Sequence, residues 1–326
     1  MAAVALACVL ALVPGAEAEV DSLLAETQGN AEMWRGYLAE SAGDKLECAL
    51  YLLREVTRLD RLEMTPQALD DHILGALAHR GSIPDSVFLD CLLWYRVSRE
   101  PVTAYRERLA AFWAARGVDN PGELSRWMAA NLDTIPREFL GGMQPPAGVL
   151  ESGAGTEAEL QVLLVASMRS LGWPARVVKG WFAGPEGGER TWAEVWMDGG
   201  WQAVDPPDME GLSLAVEESH GIPLTSRHAA TGSLLTVPPQ WEGDFRVSLN
   251  LPVRGRWLPL DWAMPAAGGP DTLVLGAGEL LVMLTRRLPA GGVEVWHRFV
   301  RVQADSTVRV ELEPDSTESE VEEGDY

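Results

Sequence analysis

The spacing of apolar residues divides the chain into helical, mixed and strand-forming parts. From about residue 19 to residue 140, apolar positions recur every three or four residues, as in DKLECALYLLREVTRL and YRERLAAFWAARG. This period is typical of amphipathic helices. Pro66, Pro84, Pro101 and Pro121 lie at the breaks between these segments, where helices are expected to begin and end. The pattern predicts a helical N-terminal region over residues 19–140.

A second region, residues 141–228, begins with a Gly- and Pro-rich loop and continues as a strongly apolar helix, AELQVLLVASMRSLG. Thr156 and Glu159 are spaced as the two members of a capping box at its start, and Gly172 is placed to end it. The segments ARVVKGWF, TWAEVWMDGG and GWQAVDP follow, rich in Val and Trp and separated by glycine turns. They predict an antiparallel sheet packed against the buried helix.

From residue 229 to residue 313 the segments are short, alternating and separated by turn residues. That spacing predicts a small β-sandwich, with a barrel as the alternative. The overall fold class is therefore α+β: a helical N-terminal region, an α+β core and a β module. Residues 314–326 contain acids but no base, which is typical of a solvated, disordered tail.

Charge narrows the classes of partner. The chain of 326 residues has a formal net charge of −22. A field of that sign repels phosphate backbones, so nucleic acid is excluded as an expected partner. Thirteen tryptophans are present, and they act either as core residues or as anchors lining a groove.

The first residues, MAAVALACVLALVPGAEAEV, form an apolar run ending in a small-x-small sequence at Ala16–Ala18. This favours a signal peptide over residues 1–18, cleaved on export to a secreted or periplasmic location, with no stable membrane insertion afterwards. A buried N-terminal helix is the alternative. Cys8 also allows a lipoprotein interpretation, although its surroundings are a poor match to a lipidation motif.

The remaining cysteines and one acidic cluster have weaker implications. Cys48 and Cys91 lie in helical apolar patterns, so they either pair in a disulfide or stay free as small apolar residues. Neither has the neighbours of a zinc site. Asp70-Asp71-His72 is interpreted as an exposed helix end rather than a metal-binding fragment. No metal or cofactor is expected.

Two linked blocks of residues carry a family resemblance. The first contains Arg169, Leu171, Gly172, then Pro174-Ala175-Arg176-Val177-Val178 and Gly180. The second contains Trp192, Glu194, Val195, Gly200-Trp201 and Asp205-Pro206. In order and spacing, the blocks resemble the nucleophile helix and following strands of transglutaminase-like (papain-related) domains of secreted bacterial proteins. The resemblance implies a papain-like α+β core.

The resemblance also implies a catalytic triad, and the sequence departs from it at two of the three positions. In the family a cysteine at a helix N-terminus attacks a carboxamide, a histidine transfers protons and an acid orients the histidine. The cysteine position is Glu157, the histidine position is Arg190, and only the acid, Asp205, is retained. Glutamate is a weak nucleophile toward amides, and arginine stays protonated near neutral pH. His220 and His228 follow the core in the sequence. They are less favoured candidates to replace the missing catalytic histidine.

The replacements conserve charge, because thiolate and imidazolium give way to carboxylate and guanidinium. We therefore hypothesise that Glu157, Arg190 and Asp205 form an ion-pair cluster in place of the triad.

The functional prediction is an exported, catalytically inactive transglutaminase-like protein that binds or scaffolds a peptide, protein or glycan. Trp181, Trp192 and Trp201 are the candidate binding residues, with a core role as the alternative. The competing function is a hydrolase or acyltransferase with altered catalytic residues, in which Glu157 and Asp205 act as a carboxylate pair. An arginine between them would lower both pKa values, which opposes that role.

Overall fold

A computed structural model describes residues 16–136, 142–237, 245–260, 271–288 and 291–311. The predicted signal peptide, apart from its last three residues, and the predicted acidic tail lie outside these ranges. Within them, no helix is both long enough and apolar enough to cross a membrane.

The N-terminal region is helical, as predicted. Its amphipathic periods bury one face of each helix: Leu46, Ala49 and Leu52 of the third helix are at most 6% exposed. Side-chain caps begin several of the helices, and Thr65 accepts the amide of Ala68 directly ahead of Pro66. The helices are α1 (Ala16–Ala25), α2 (Ala31–Glu40), α3 (Asp44–Glu55), α4 (Arg58–Glu63), α5 (Pro66–Leu77), α6 (Asp85–Phe88), α7 (Arg106–Ala114) and α8 (Pro121–Asn131).

Two hydrophobic clusters organise this part of the chain. One joins α1 to α6 and the residues after them, up to Tyr95. The other begins at Val97 and includes Trp113 of α7, Leu124 of α8 and the buried face of helix α10 (Glu157–Ser170), from Val162 to Met168. A short helix α9 (Pro146–Ser152) precedes α10, and two-residue strands β1 (Asp133–Thr134) and β2 (Ala154–Gly155) pair in parallel.

A four-stranded sheet follows α10, in the order β5-β4-β3-β6. Its strands are β3 (Ala175–Phe182), β4 (Gly188–Met197), β5 (Gly200–Val204) and β6 (Leu212–Glu217). β4 and β5 form a hairpin in which Trp196 is opposite Trp201, and β3 pairs antiparallel with β6. The predicted combination of buried helix and antiparallel sheet is confirmed, and with it the α+β class.

The C-terminal part consists of strands apart from α11 (Thr225–His228) within the described ranges. One sheet has the order β10-β7-β13 and the other β12-β11-β8-β9. Alternate residues of both sheets share one hydrophobic cluster, including Leu234, Leu249 and Val282. The strands are β7 (Thr231–Val237), β8 (Phe245–Val253), β9 (Arg256–Pro259), β10 (Asp271–Gly276), β11 (Gly278–Arg287), β12 (Val293–Val302) and β13 (Thr307–Glu311). Their description as a β-sandwich stays a prediction.

The chain divides into two compact units. The first runs to Val177 and includes Ala193–Asp205, and the second contains Val178–Trp192 and the chain from Pro206 onward. The division therefore passes through β3 and β4. The domain limits at residues 18, 140, 228 and 313 stay predictions.

Candidate functional site

The first residue of α10 is Glu157, which the sequence analysis aligns with the family's nucleophile. The start of the helix is fixed by the predicted capping box, which is confirmed: Thr156 Oγ1 accepts the amide of Glu159, and Glu159 Oε2 accepts the amide of Thr156 at 2.8 Å. The second Glu159 oxygen accepts the amide of Gln144 at 2.7 Å. Burial acts to raise the pKa of Glu159, but these hydrogen bonds outweigh it and lower the pKa below its usual value.

Glu157 itself is exposed, at the end of a helix whose following turns are buried. Its carboxylate has no hydrogen-bond or ion-pair partner among the described residues of the first unit. The N-terminus of a helix favours a negatively charged group at this position. As a carboxylate it is a poor nucleophile toward an amide.

Asp205 directly follows β5, in the same unit as Glu157. Its φ of 49° is in the left-handed region, which Asp adopts more readily than most residues. The residue is exposed, and its carboxylate accepts a hydrogen bond from the hydroxyl of Ser125 on α8. The structure thus brings the retained acid to a serine that sequence reasoning did not identify. An isolated serine on a helix gives no sequence signal of that contact.

Arg190 is half-buried on β4, in the second unit. Its Nη2 donates to the carbonyl of Glu186 at 2.8 Å, and its guanidinium lies 5.7 Å from the ring of Phe182. Since Glu157 and Asp205 belong to the other unit, the ion-pair cluster hypothesised for the three residues stays a prediction.

The structure contains a buried ion pair that the sequence analysis missed. Nε and Nη2 of Arg176 both donate to Oε2 of Glu194, at 2.8 and 2.6 Å, and the two side chains are 7% and 1% exposed. The guanidinium also lies 3.9 Å from the ring of Trp201. Both residues belong to the two blocks that resemble the family. Their opposite charges on two predicted strands were the sequence feature that could have indicated this ion pair.

The three candidate tryptophans differ in accessibility. Trp181 and Trp192 are 1% and 0% exposed and pack in separate hydrophobic clusters. Their side chains are therefore part of the protein interior and have no surface for a ligand. Trp201 is half-buried between Arg176 and Trp196, and it is the one of the three with solvent access.

Other nucleophiles and bases are held in structural roles. Cys48 and Cys91 are buried in the helical region and are not joined by a disulfide; burial raises the pKa of Cys48 to about 11. The Glu217 carboxylate accepts the amide and Nδ1 of His220. His228 packs edge-on against Trp192.

Asp70-Asp71-His72 is not an exposed helix end, so that interpretation is wrong. The three residues lie within α5, and each faces a different partner. Asp70 accepts from Tyr37 and Lys45, Asp71 accepts the first amides of α7, and His72 is fully buried against Arg106. Among the described residues, no group of three or more His, Cys, Asp or Glu side chains is arranged to hold a metal ion.

Comparison with known proteins supports the family assignment of this segment. Residues 115–206 match the sequence model of the transglutaminase-like superfamily. The chain therefore contains a transglutaminase-like segment that includes α8 to α10 and strands β3 to β5. The match confirms the resemblance inferred from the two residue blocks. A comparison with curated proteins gave no match.

Solved structures give a more distant likeness. One is described as a candidate cysteine protease from Cytophaga hutchinsonii, with 9% identity and a TM-score of 0.28 over 61% of this chain and 53% of that one. Another is described as a candidate protease from Parabacteroides distasonis, with 15% identity and a TM-score of 0.30 over 61% of this chain and 49% of that one. The chain thus spans about half the length of each.

Proposed function

We propose that this protein is a catalytically inactive member of the transglutaminase-like group that binds or scaffolds a peptide, protein or glycan. The observation that supports it most is Glu157 at the first position of α10, where the chemistry requires a thiolate. No cysteine follows Cys91 anywhere in the chain, and Cys91 is itself buried. No thiol of the described structure is therefore available as a substitute nucleophile.

Arg190 supports the same conclusion from the second position. A guanidinium cannot accept a proton near neutral pH, so it cannot act as a general base. Asp205 keeps its carboxylate, but its described partner is the Ser125 hydroxyl. When members of a triad that act together are replaced, only residual rates survive.

Trp201 is the residue we propose for ligand contact. It combines solvent access with a ring already positioned by Arg176 and Trp196, so little side-chain entropy is lost on binding. Export to a secreted or periplasmic location is part of the proposal and is supported by the apolar run at the start of the sequence, most of which lies outside the described residues.

Binding without turnover is the expected behaviour. A glutaminyl peptide is titrated into the purified full chain by calorimetry, and ammonia release is followed in the same samples. We expect binding that is weakened at least about tenfold by Trp201→Ala, a loss of about 1.4 kcal/mol, with no ammonia released. Trp257→Ala, on the C-terminal β9, is the matched control and should bind as the unaltered chain does.

An altered hydrolase is the second candidate, because Glu157 and Asp205 are both exposed carboxylates in one compact unit. It predicts turnover that Glu157→Gln and Asp205→Asn each abolish, while Asp208→Asn, an exposed acid nearby in sequence, has no effect. Turnover with that dependence would overturn the inactive assignment. Absence of binding to glutaminyl peptides, with no turnover, would leave the inactive assignment intact but contradict peptide recognition through Trp201.

A further inference from the structure

Strand β12 forms an edge of the four-stranded C-terminal sheet. It pairs with β11 along its whole length, and no described strand pairs with its other side. Its ten residues, VEVWHRFVRV, contain neither glycine nor proline. A long regular edge presents unpaired amide and carbonyl groups that are a template for another strand.

Both faces of β12 carry apolar side chains. Trp296, Val300 and Val302 face the hydrophobic cluster of the second unit. The alternate positions include Val293 and Phe299, which are 43% and 67% exposed. Phe299 keeps this exposure although its ring lies 5.6 Å from that of Trp257. An antiparallel strand with one face in water usually carries polar residues there, so this face has the composition of a covered surface.

The charged residues of β12 are arranged in a self-complementary way. Glu294 and Arg298 are four residues apart, on the same face of the strand as Trp296. Charges facing that way on an edge strand normally oppose further pairing. They oppose it less when each meets its opposite, and two antiparallel copies of β12 centred on Trp296 place Glu294 of each copy against Arg298 of the other.

The same register also matches the apolar residues. With Trp296 opposite Trp296, Val293 of one copy meets Phe299 of the other, and Val295 meets His297. The two most exposed apolar residues of β12 therefore cover each other, twice, about one twofold axis. Within one chain, Arg286 donates both of its hydrogen bonds to Oε2 of Glu294. Oε1 of the same carboxylate can then accept from Arg298 of the second copy.

We propose that β12 is a dimerisation edge, where two copies of this chain pair antiparallel with Trp296 opposite Trp296 and continue the sheet from one molecule into the other. A second copy fits better than an unrelated strand, because one register satisfies the charge pairs and the apolar pairs at once. The net charge of −22 on each chain opposes association in general, so the local pairing has to supply the specificity.

Sedimentation equilibrium of the purified full chain tests the proposal. The unaltered chain should show a reversible dimer. Arg298→Glu places like charges opposite each other twice, and Glu294→Arg does the same with the opposite sign. We expect each variant to raise the dimer dissociation constant at least about tenfold. An equimolar mixture of the two variants should recover the dimer, because each heterodimer again pairs Glu with Arg.

Arg309→Glu, on the exposed part of β13, is the control for net charge and should dimerise as the unaltered chain does. Val293→Asp, at an exposed position, disrupts the apolar pair and keeps the test decisive where a charge reversal impairs folding, which circular dichroism would report. The proposal is overturned by a monomer at every concentration, by a dimer insensitive to these substitutions, or by a mixture that stays monomeric.

Discussion

At the scale of single residues, the matched segment is held together by Arg176 and Glu194. Removing one member of a buried pair leaves an uncompensated charge, whereas replacing both with apolar residues is far less costly. Arg176→Met should lower the free energy of unfolding by about 3–5 kcal/mol, measured by urea denaturation. Arg309→Ala, which breaks an exposed pair with Glu311, should cost less than about 1 kcal/mol.

The double variant Arg176→Met with Glu194→Met supplies the internal check. It should recover much of the stability that Arg176→Met loses, because no buried charge is left without a partner. A double variant as unstable as the single one would show that the loss comes from packing against Trp201 and not from the stranded carboxylate.

His72 gives the fold a dependence on pH. Burial lowers the pKa of His72 well below its usual value, and the charges of Arg106 and Arg169 lower it further, against the opposing effect of the Thr103 carbonyl. Below about pH 6.5, His72 is therefore protonated in the unfolded state but stays neutral in the folded state. Stability should be fully present above that pH and fall as pH drops, by up to about 1.4 kcal/mol per pH unit.

Urea denaturation at pH 7 and pH 5 measures this effect. His72→Gln keeps an oxygen to accept from Arg106 but does not titrate, so it should lose less stability between the two pH values than the unaltered chain. His79→Gln, at an exposed position outside β12, should leave the loss unchanged. An equal loss in the unaltered chain and in His72→Gln would exclude His72 as the cause.

At the scale of elements, helix α10 shows what the sequence reveals most clearly. Its capping box and its end at Gly172 were predicted because they depend on residues close together in the chain. Contacts between elements far apart in the chain were not predicted. Gly172 has a φ of 86°, and a Cβ there would lie 2.3 Å from Cγ of His79, a residue outside the matched segment.

Substitutions of Gly172 separate the cost of its positive φ from the cost of its close approach to His79. Gly172→Ala should be more destabilising than Gly199→Ala, whose φ of 78° is similar but whose surroundings are open within 4 Å. The conformational cost alone is about 1–2 kcal/mol, and the contact with His79 adds to it. Adding His79→Ala to Gly172→Ala should recover part of the contact cost, as judged by thermal unfolding, because the ring atoms at 2.3 and 2.4 Å are lost while Cβ of residue 79 stays 2.8 Å away. Equal effects of the two single glycine variants would argue against a close contact with His79.

At the scale of the whole molecule, the order of helical, mixed and strand-forming parts followed from apolar spacing alone. The sequence did not predict contacts between residues far apart in the chain. Examples are the hydrogen bond of Ser125 to Asp205 and the burial of His72. Periodicity records which face of an element is buried, but not which side chain it meets. The three triad positions came from family spacing, and their chemistry followed from the residue types that occupy them.

We propose that Glu157, the residue aligned with the family's nucleophile, does not attack a substrate. An electrophilic analogue of a glutaminyl peptide tests this when it is incubated with the protein and adducts are located by mass spectrometry. We expect no adduct at Glu157 or Asp205 of the unaltered chain and one adduct at position 157 of Glu157→Cys, because a thiol at the exposed start of α10 is favoured as thiolate by the helix N-terminus. An adduct on the unaltered chain, mapped to Glu157 or Asp205, would contradict the loss of catalysis.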